Sequence, residues 1–178
     1  MLLTRGIAIE GTAILAREKR LTLARKLPMK TLRHAERLLF RPGISVVRDA
    51  MLAQRHGEIH AMHDPTEGGL ASGLYELAKA GGVGLRIWKD KVPVLEETRS
   101  FSEILGFDPF ALIASGALLV VASANSTPKL LRAYTRHGVR AAIIGEVREA
   151  AEGIQVVEKD RVSPLRVPGR DEIARLLE

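Results

Sequence analysis

Residues 58–82 read EIHAMHDPTEGGLASGLYELAKAGG, and no other stretch constrains the fold as tightly. A short strand, EIHAMH, runs into a helix on which Leu70, Leu74 and Leu77 share one face and which Gly81-Gly82 ends. The junction Asp64-Pro65-Thr66-Glu67 reads as a helix opening: an acidic cap, proline at the first helical position and glutamate at the third, the pattern of a capping box. Two glycines follow in the first turn, each costing about 1 kcal/mol of helix propensity relative to alanine. Something beyond capping must favour them. His63, Asp64, Thr66 and the Gly68-Gly69 amides place an imidazole, a carboxylate, a hydroxyl and bare N–H groups at one helix end. Such an end can hold phosphate or a phosphate-bound metal. There is neither a Walker lysine nor a complete G-x-G-x-x-G, so residue types alone favour the structural reading slightly over the phosphate-binding one, against the cost of the two glycines.

The rest of the chain mixes strands and helices without strict βαβ alternation. MLLTRGIAI reads as extended, and Glu10-Gly11-Thr12 opens an apolar helix, TAILARE. Beginning on a strand suggests a piece of something longer. KTLRHAERLLF carries Leu32, Ala35, Leu38 and Leu39 on one helical face, and SVVRDAMLAQRHG is a helix with Ser45 as cap and Gly57 as stop. VGLRIW is a strand, LEETRSFSEILG a helix ending at Gly106, and DPFALIASG a single Asp-Pro turn that breaks at Ser115-Gly116 into the strand ALLVVAS. Thr127-Pro128 opens a helix stopping at Gly138. VRAAIIGEV is a strand, GIQVVEK and VSPLRV form a terminal hairpin, and residues 170–177 form a closing helix. The expected class is α+β, a mixed β-sheet flanked by helices, in one domain spanning residues 1–178. Asp49, Glu76 and Glu103 fall on helices and are expected to be solvated.

Composition narrows the possible functions. Cysteine is absent, which excludes disulfides, thiolate metal sites and a cysteine nucleophile or carrier within these residues and fits a cytoplasmic protein. The longest apolar run, Pro109 to Ser123, is too short to span a membrane. The net charge of +6 is concentrated in residues 17–41, where nine Lys/Arg face two Glu. Such a block can bind an acidic partner or nucleic acid. Here leucines interrupt it and no aromatic residue is interleaved before Phe40, so a solvated basic face is favoured and nucleic acid is not the expected partner. A non-catalytic interaction module using the 17–41 face is the alternative to an enzyme. His34, His56, His60 and His137 show no metal spacing.

Taken together, IAIEGTAILA, LLFRPGISVVRDA, MHDPTEGGLASGLYELA, GVGLRI, VPVLEET, DPFALIASGALLV and IIGEV resemble the C-terminal domain of the aminoimidazole ribonucleotide (AIR) synthetase superfamily. The likeness covers nearly the whole chain, and its branch resembles the hydrogenase expression/formation factors (HypE) and AIR-synthase-related proteins. The resemblance implies an ATP-dependent enzyme of two domains. An N-terminal domain supplies most ATP and Mg²⁺ ligands, and the C-terminal domain closes over the nucleotide cleft. By the same resemblance Asp64 falls at a metal-binding aspartate, Thr66, Gly68 and Gly69 at the loop beside the phosphates, and Ser115-Gly116 at a turn near the second substrate. Gly11 and Thr12 fall at the segment entering the cleft. The N-terminal ATP-binding domain is not among these residues, so the chain is expected to be inactive alone. The factors of that branch end in a carrier cysteine and carry a glutamate before the late glycine, where this chain has no cysteine and has Ser115.

Overall fold

The computed structural model describes residues 1–178, with eight strands and eight α-helices. One sheet joins β1 (Leu2–Thr4), β2 (Ile59–His63), β4 (Leu119–Ala122) and β5 (Ala141–Ile143) in the order β2-β4-β1-β5, every pair antiparallel. The other joins β3 (Gly84–Trp88), β6 (Gly145–Arg148), β7 (Ile154–Glu158) and β8 (Arg161–Pro164) in the order β6-β3-β7-β8. In that sheet β3 pairs parallel with β7, and the remaining pairs are antiparallel. The α+β class with a mixed sheet holds, but the strands are divided between two sheets. The division falls inside the stretch VRAAIIGEV, expected as one strand. Ile144, fully buried, separates β5 in the first sheet from β6 in the second.

Strand periodicity explains how the helices are placed. In β1 and β4, Leu2 and Val120 point to one face and Leu3, Leu119 and Val121 to the other, and both faces are covered. On one face, α4 (Val47–His56) and α7 (Thr127–Arg136) pack Leu52, Ala53, Leu130 and Tyr134 against Leu2 and Val120. On the other, α5 (Gly69–Gly81) buries Leu70, Leu74 and Leu77 against Leu3 and Leu119 and also against Leu85 and Ile87 of the second sheet. A third cluster joins α1 (Ile9–Glu18), α2 (Arg20–Ala24), α3 (Met29–Glu36) and α6 (Glu96–Leu105) through Leu15, Leu23, Leu32 and Phe101. The short α8 (Glu172–Leu177) lays Ile173 and Leu176 on its edge. No helix is long and apolar enough to cross a membrane.

Two local expectations change. Helix α1 begins at Ile9, before the expected Thr12, and Thr12 is fully buried, its hydroxyl 2.7 Å from that of Thr98 on α6. Asp49, expected in solvent, is fully buried. Arg5 reaches it from the end of β1, with Nε donating to Oδ2 at 2.8 Å and Nη2 to Oδ1 at 2.9 Å. The guanidinium also donates to the carbonyls of Gly43 and Ser45, both at 2.9 Å, which ties down the loop before α4. Ser45 thus contributes a carbonyl to Arg5, and α4 has no side-chain cap. Tyr134 completes the cluster by donating its hydroxyl to the Asp49 carbonyl at 3.1 Å.

Breaking a buried, fully hydrogen-bonded ion pair leaves one charge stranded, so Asp49→Asn is expected to cost about 3–5 kcal/mol, read as a lowered urea midpoint. Burial first, then the Asp49 charge, pushes the Tyr134 phenol above its ordinary value. The unfolded chain therefore releases this proton before the folded one. Its contribution to stability is intact below about pH 10 and is lost as pH rises beyond that. Melting curves between about pH 8 and pH 11 should show a shallower alkaline decline in Tyr134→Phe than in the parent.

Candidate functional site

Because β1 and β2 both run antiparallel to β4, their C-terminal ends and the start of β4 lie at the same end of the first sheet. Residues 5–12, 64–69 and 112–118 therefore leave or enter the sheet close together. The backbone of Phe110–Ala114 joins them. Thr66 O accepts from the N–H of Ala114 at 3.2 Å, and Gly11 N–H donates to Ile113 O at 3.3 Å. A Cβ at Gly69 would lie 2.5 Å from Phe110 O and 2.6 Å from Leu112 O. One at Gly11 would lie 2.5 Å from Leu112 Cγ. Only glycine lets both helix starts approach this strip so closely. The packing reason for the costly glycines is therefore explicit. Gly11, Gly69 and the segment before Ser115-Gly116 come together, while Thr12 turns inward to Thr98 and leaves the surface.

The helix opening differs from the capping box. Helix α5 starts at Gly69, with Gly68 as its N-cap in the left-handed conformation, φ 71°, and no capping side chain. Neither Asp64 nor Glu67 caps it, because Pro65 and Thr66 remain non-helical and the chain turns once more at Glu67-Gly68. The cap comes from the far end of the chain. Asp171 Oδ2 accepts from Gly68 N–H at 2.6 Å, while Oδ1 accepts from Ile113 at 3.2 Å and from Ile173, in the first turn of α8, at 2.7 Å. A carboxylate thus sits where the glycine turn was expected to present its amide to a phosphate. The Gly69 N–H is also engaged, donating to Thr66 O at 3.0 Å. Asp171 was not legible in the sequence as part of this turn, since it lies 103 residues from Gly68. Its only local signal was an acidic residue before a helix.

Of the expected site residues, Asp64 and Thr66 are exposed and Gly68 and Gly69 are buried. Gly116 is buried, and a Cβ on it would lie 3.2 Å from Gly43 O. His63 turns away along the sheet and places Nε2 2.8 Å from Glu76 Oε2, so Glu76 has a partner rather than only solvent. Both border an open, mainly apolar cleft of about 1030 Å³ that continues past Met62, Trp88 and Val147 and does not include Asp64. This cleft lies beside the converging loops, not within them. Glu10, next to Gly11, reads in the sequence only as part of a helix opening. Its Oε2 is buried without a hydrogen-bond partner, and an oxygen in that state favours a cation or a donor from a ligand.

These groups fit a magnesium nucleotide in part. Asp64 offers a solvent-facing carboxylate, the oxygen ligand Mg²⁺ prefers. No group of three or more His, Asp or Glu side chains is placed to hold a metal, so remaining ligands would come from phosphate, water or another polypeptide.

The family model described as AIR synthase related protein, C-terminal domain, matches residues 1–158, and the chain belongs to that family. Carbamoyl dehydratase HypE of Azotobacter vinelandii is 41% identical over 92 residues, covering 51% of this chain and 27% of that protein. The crystal structure of Escherichia coli HypE, a hydrogenase maturation protein, superposes with a TM-score of 0.77 at 24% identity over 99% of this chain and 52% of that one. A structure of the hydrogenase maturation protein HypE in complex with ATP superposes with a TM-score of 0.66 at 23% identity, covering 97% and 51%. The chain spans about half the length of these solved relatives and under a third of that curated one.

Asp171→Ala should strand the Gly68 and Ile113 amides and remove the α8 cap. The expected loss is about 1–3 kcal/mol, together with faster hydrogen exchange at those two amides.

Proposed function

We propose that this chain is the C-terminal half of an ATP-dependent, AIR-synthetase-like protein of the hydrogenase-maturation type. It would close over a nucleotide–magnesium cleft built mainly by an N-terminal ATP-binding half on the same or a separate chain. The observation that carries this reading is the convergence of the 10–12, 64–69 and 112–116 segments at one end of the sheet, with the Asp64 carboxylate left exposed there. Family membership over residues 1–158 and the half-length coverage of an ATP-bound relative support it.

In the assembled cleft Asp64 would hold Mg²⁺ through a carboxylate oxygen, and Thr66 would offer its hydroxyl to the bound phosphates. Bound Mg²⁺-ATP would supply an activated phosphoryl group. The Gly68 amide can turn to a phosphate oxygen by releasing Asp171, one anion replacing another on the same N–H. The Ser115-Gly116 turn, which lies against the loop at Gly43, would border the second, small-molecule substrate. The chain alone lacks most of the nucleotide contacts and is inactive by itself, and the assembled protein works in the cytoplasm.

Isothermal titration of Mg²⁺-ATP tests this. The chain alone should bind weakly, and with the ATP-binding half supplied the affinity should rise. Asp64→Asn should then weaken binding by about tenfold, the loss of roughly one charge-assisted contact. Unchanged affinity in Asp64→Asn would remove that residue from the site.

A further inference from the structure

At the same end of the first sheet, on the side away from α5, a second cavity of about 430 Å³ opens between the end of β1, the 41–49 segment and the turn at Gly138–Arg140. Arg5, Arg41, Arg48 and Arg140 line it together with His34, and Asp49 is its only acidic lining residue. That carboxylate is already spent: both oxygens accept from Arg5 at 2.8 and 2.9 Å. His34 is paired outside the cavity wall with Glu97, at 2.5 Å. Arg48 uses one N–H on the His137 carbonyl at 3.0 Å. Arg41 and Arg140 donate no side-chain hydrogen bond and form no ion pair, unlike Arg5, Arg20, Arg148 and Arg175 elsewhere in the chain. Three guanidinium charges therefore face one concave space with no carboxylate left to balance them.

The floor beneath them is rigid. Arg5 has a left-handed backbone, φ 60°, rarely adopted by a side-chain-bearing residue, and is held there by its bonds to Asp49, Gly43 and Ser45. The Arg5 N–H donates to the Arg140 carbonyl at 2.7 Å, so Arg140 is fixed relative to Arg5 at the backbone. Leu38, Ile9 and Val139 supply apolar, low-dielectric walls, in which charge interactions are stronger than at an open surface. Planar forks converging on one concave site match the geometry of phosphate oxygens.

We propose that this cavity is a binding site for a small, multiply charged phosphate-class anion, with Arg41, Arg48 and Arg140 as its ligands and the Arg5–Asp49 pair as its platform. The site is separate from the nucleotide reading of Asp64 and requires no magnesium. Its size suits a phosphate or pyrophosphate group better than a polymer, and its ligands come from two separate segments, 41–49 and 138–140, rather than from the 17–41 face alone.

The test is titration of sodium pyrophosphate into the 178-residue chain in EDTA, followed by calorimetry and thermal shift. The expected result is saturable binding of one pyrophosphate per chain with a rise in melting temperature. In Arg41→Gln/Arg140→Gln the dissociation constant should increase at least about tenfold, since charge-assisted bonds contribute enough for that change. Arg48→Gln alone should give a smaller loss, which carries the test should the double variant fold poorly. A control, Arg25→Gln/Lys26→Gln, removes the same charge from the exposed part of the 17–41 block and should keep the parent affinity. Equal losses in the cavity and control variants would show diffuse attraction to a +6 chain and overturn the site. No saturation at millimolar pyrophosphate would overturn it too. So would a single-stranded oligonucleotide that binds more tightly than pyrophosphate and depends on Arg25 and Lys26.

Discussion

The carbonyl-lined strip from Phe110 to Ala114 is the constraint around which the rest of this end of the molecule is arranged. It receives two helix starts at distances a Cβ would not allow, Gly11 against the Leu112 side chain and Gly69 against the carbonyls of Phe110 and Leu112. It also accepts from Gly11 and donates to Thr66, so three segments far apart in sequence share one set of backbone bonds. Buried backbone groups must be paired, and here the Ile113 carbonyl and the Ala114 N–H pair with the Gly11 and Thr66 loops of the same convergence. This explains why the glycines cost propensity yet are placed where they are. They allow the helices to start against the strip, and the surface that results is shaped by oxygens as much as by amides.

Asp171 gives that arrangement a second layer. Its carboxylate binds an amide from each of two converging loops and one from its own helix, which fastens the chain's last helix to the glycine turn. The charge it places at the Gly68 amide has the sign of a phosphate and satisfies the same helix N-terminus. A ligand phosphate at this amide must therefore compete with a residue of the protein itself. Residues 159–178, which include Asp171, lie beyond the stretch matched to the family model, so this fastening is a feature of the chain and is not read from the family.

The two charged centres at this end of the sheet differ in how they treat water. Arg5 and Asp49 are a satisfied pair, with Asp49 fully buried, and they work as scaffold. Arg41, Arg48 and Arg140 stand above them, exposed and without carboxylate partners. On the other side Asp64 is an exposed carboxylate. One sheet end thus presents an acidic group and a basic hollow, divided by loops that meet at Gly43 and Gly116.

The sequence alone determined the class, the order of elements and the motif that singles out this end of the molecule. Leucines at helical spacing, alternation in VGLRIW and Gly stops at residues 57, 82 and 106 are local properties, and local chemistry decides them. The family likeness was carried by those same local motifs. What only the tertiary structure decided depends on partners distant along the chain. Asp49 looked like a solvated helix residue because Arg5 lies 44 positions away. Asp64 and Glu67 looked like caps because nothing near them revealed that Asp171 would take that role. VRAAIIGEV looked like one strand, because alternation does not say which sheet each half will join. Side-chain spacing reports the face a residue presents to its own element. Which charge, carbonyl or sheet it meets there is settled by burial, once the whole core has formed.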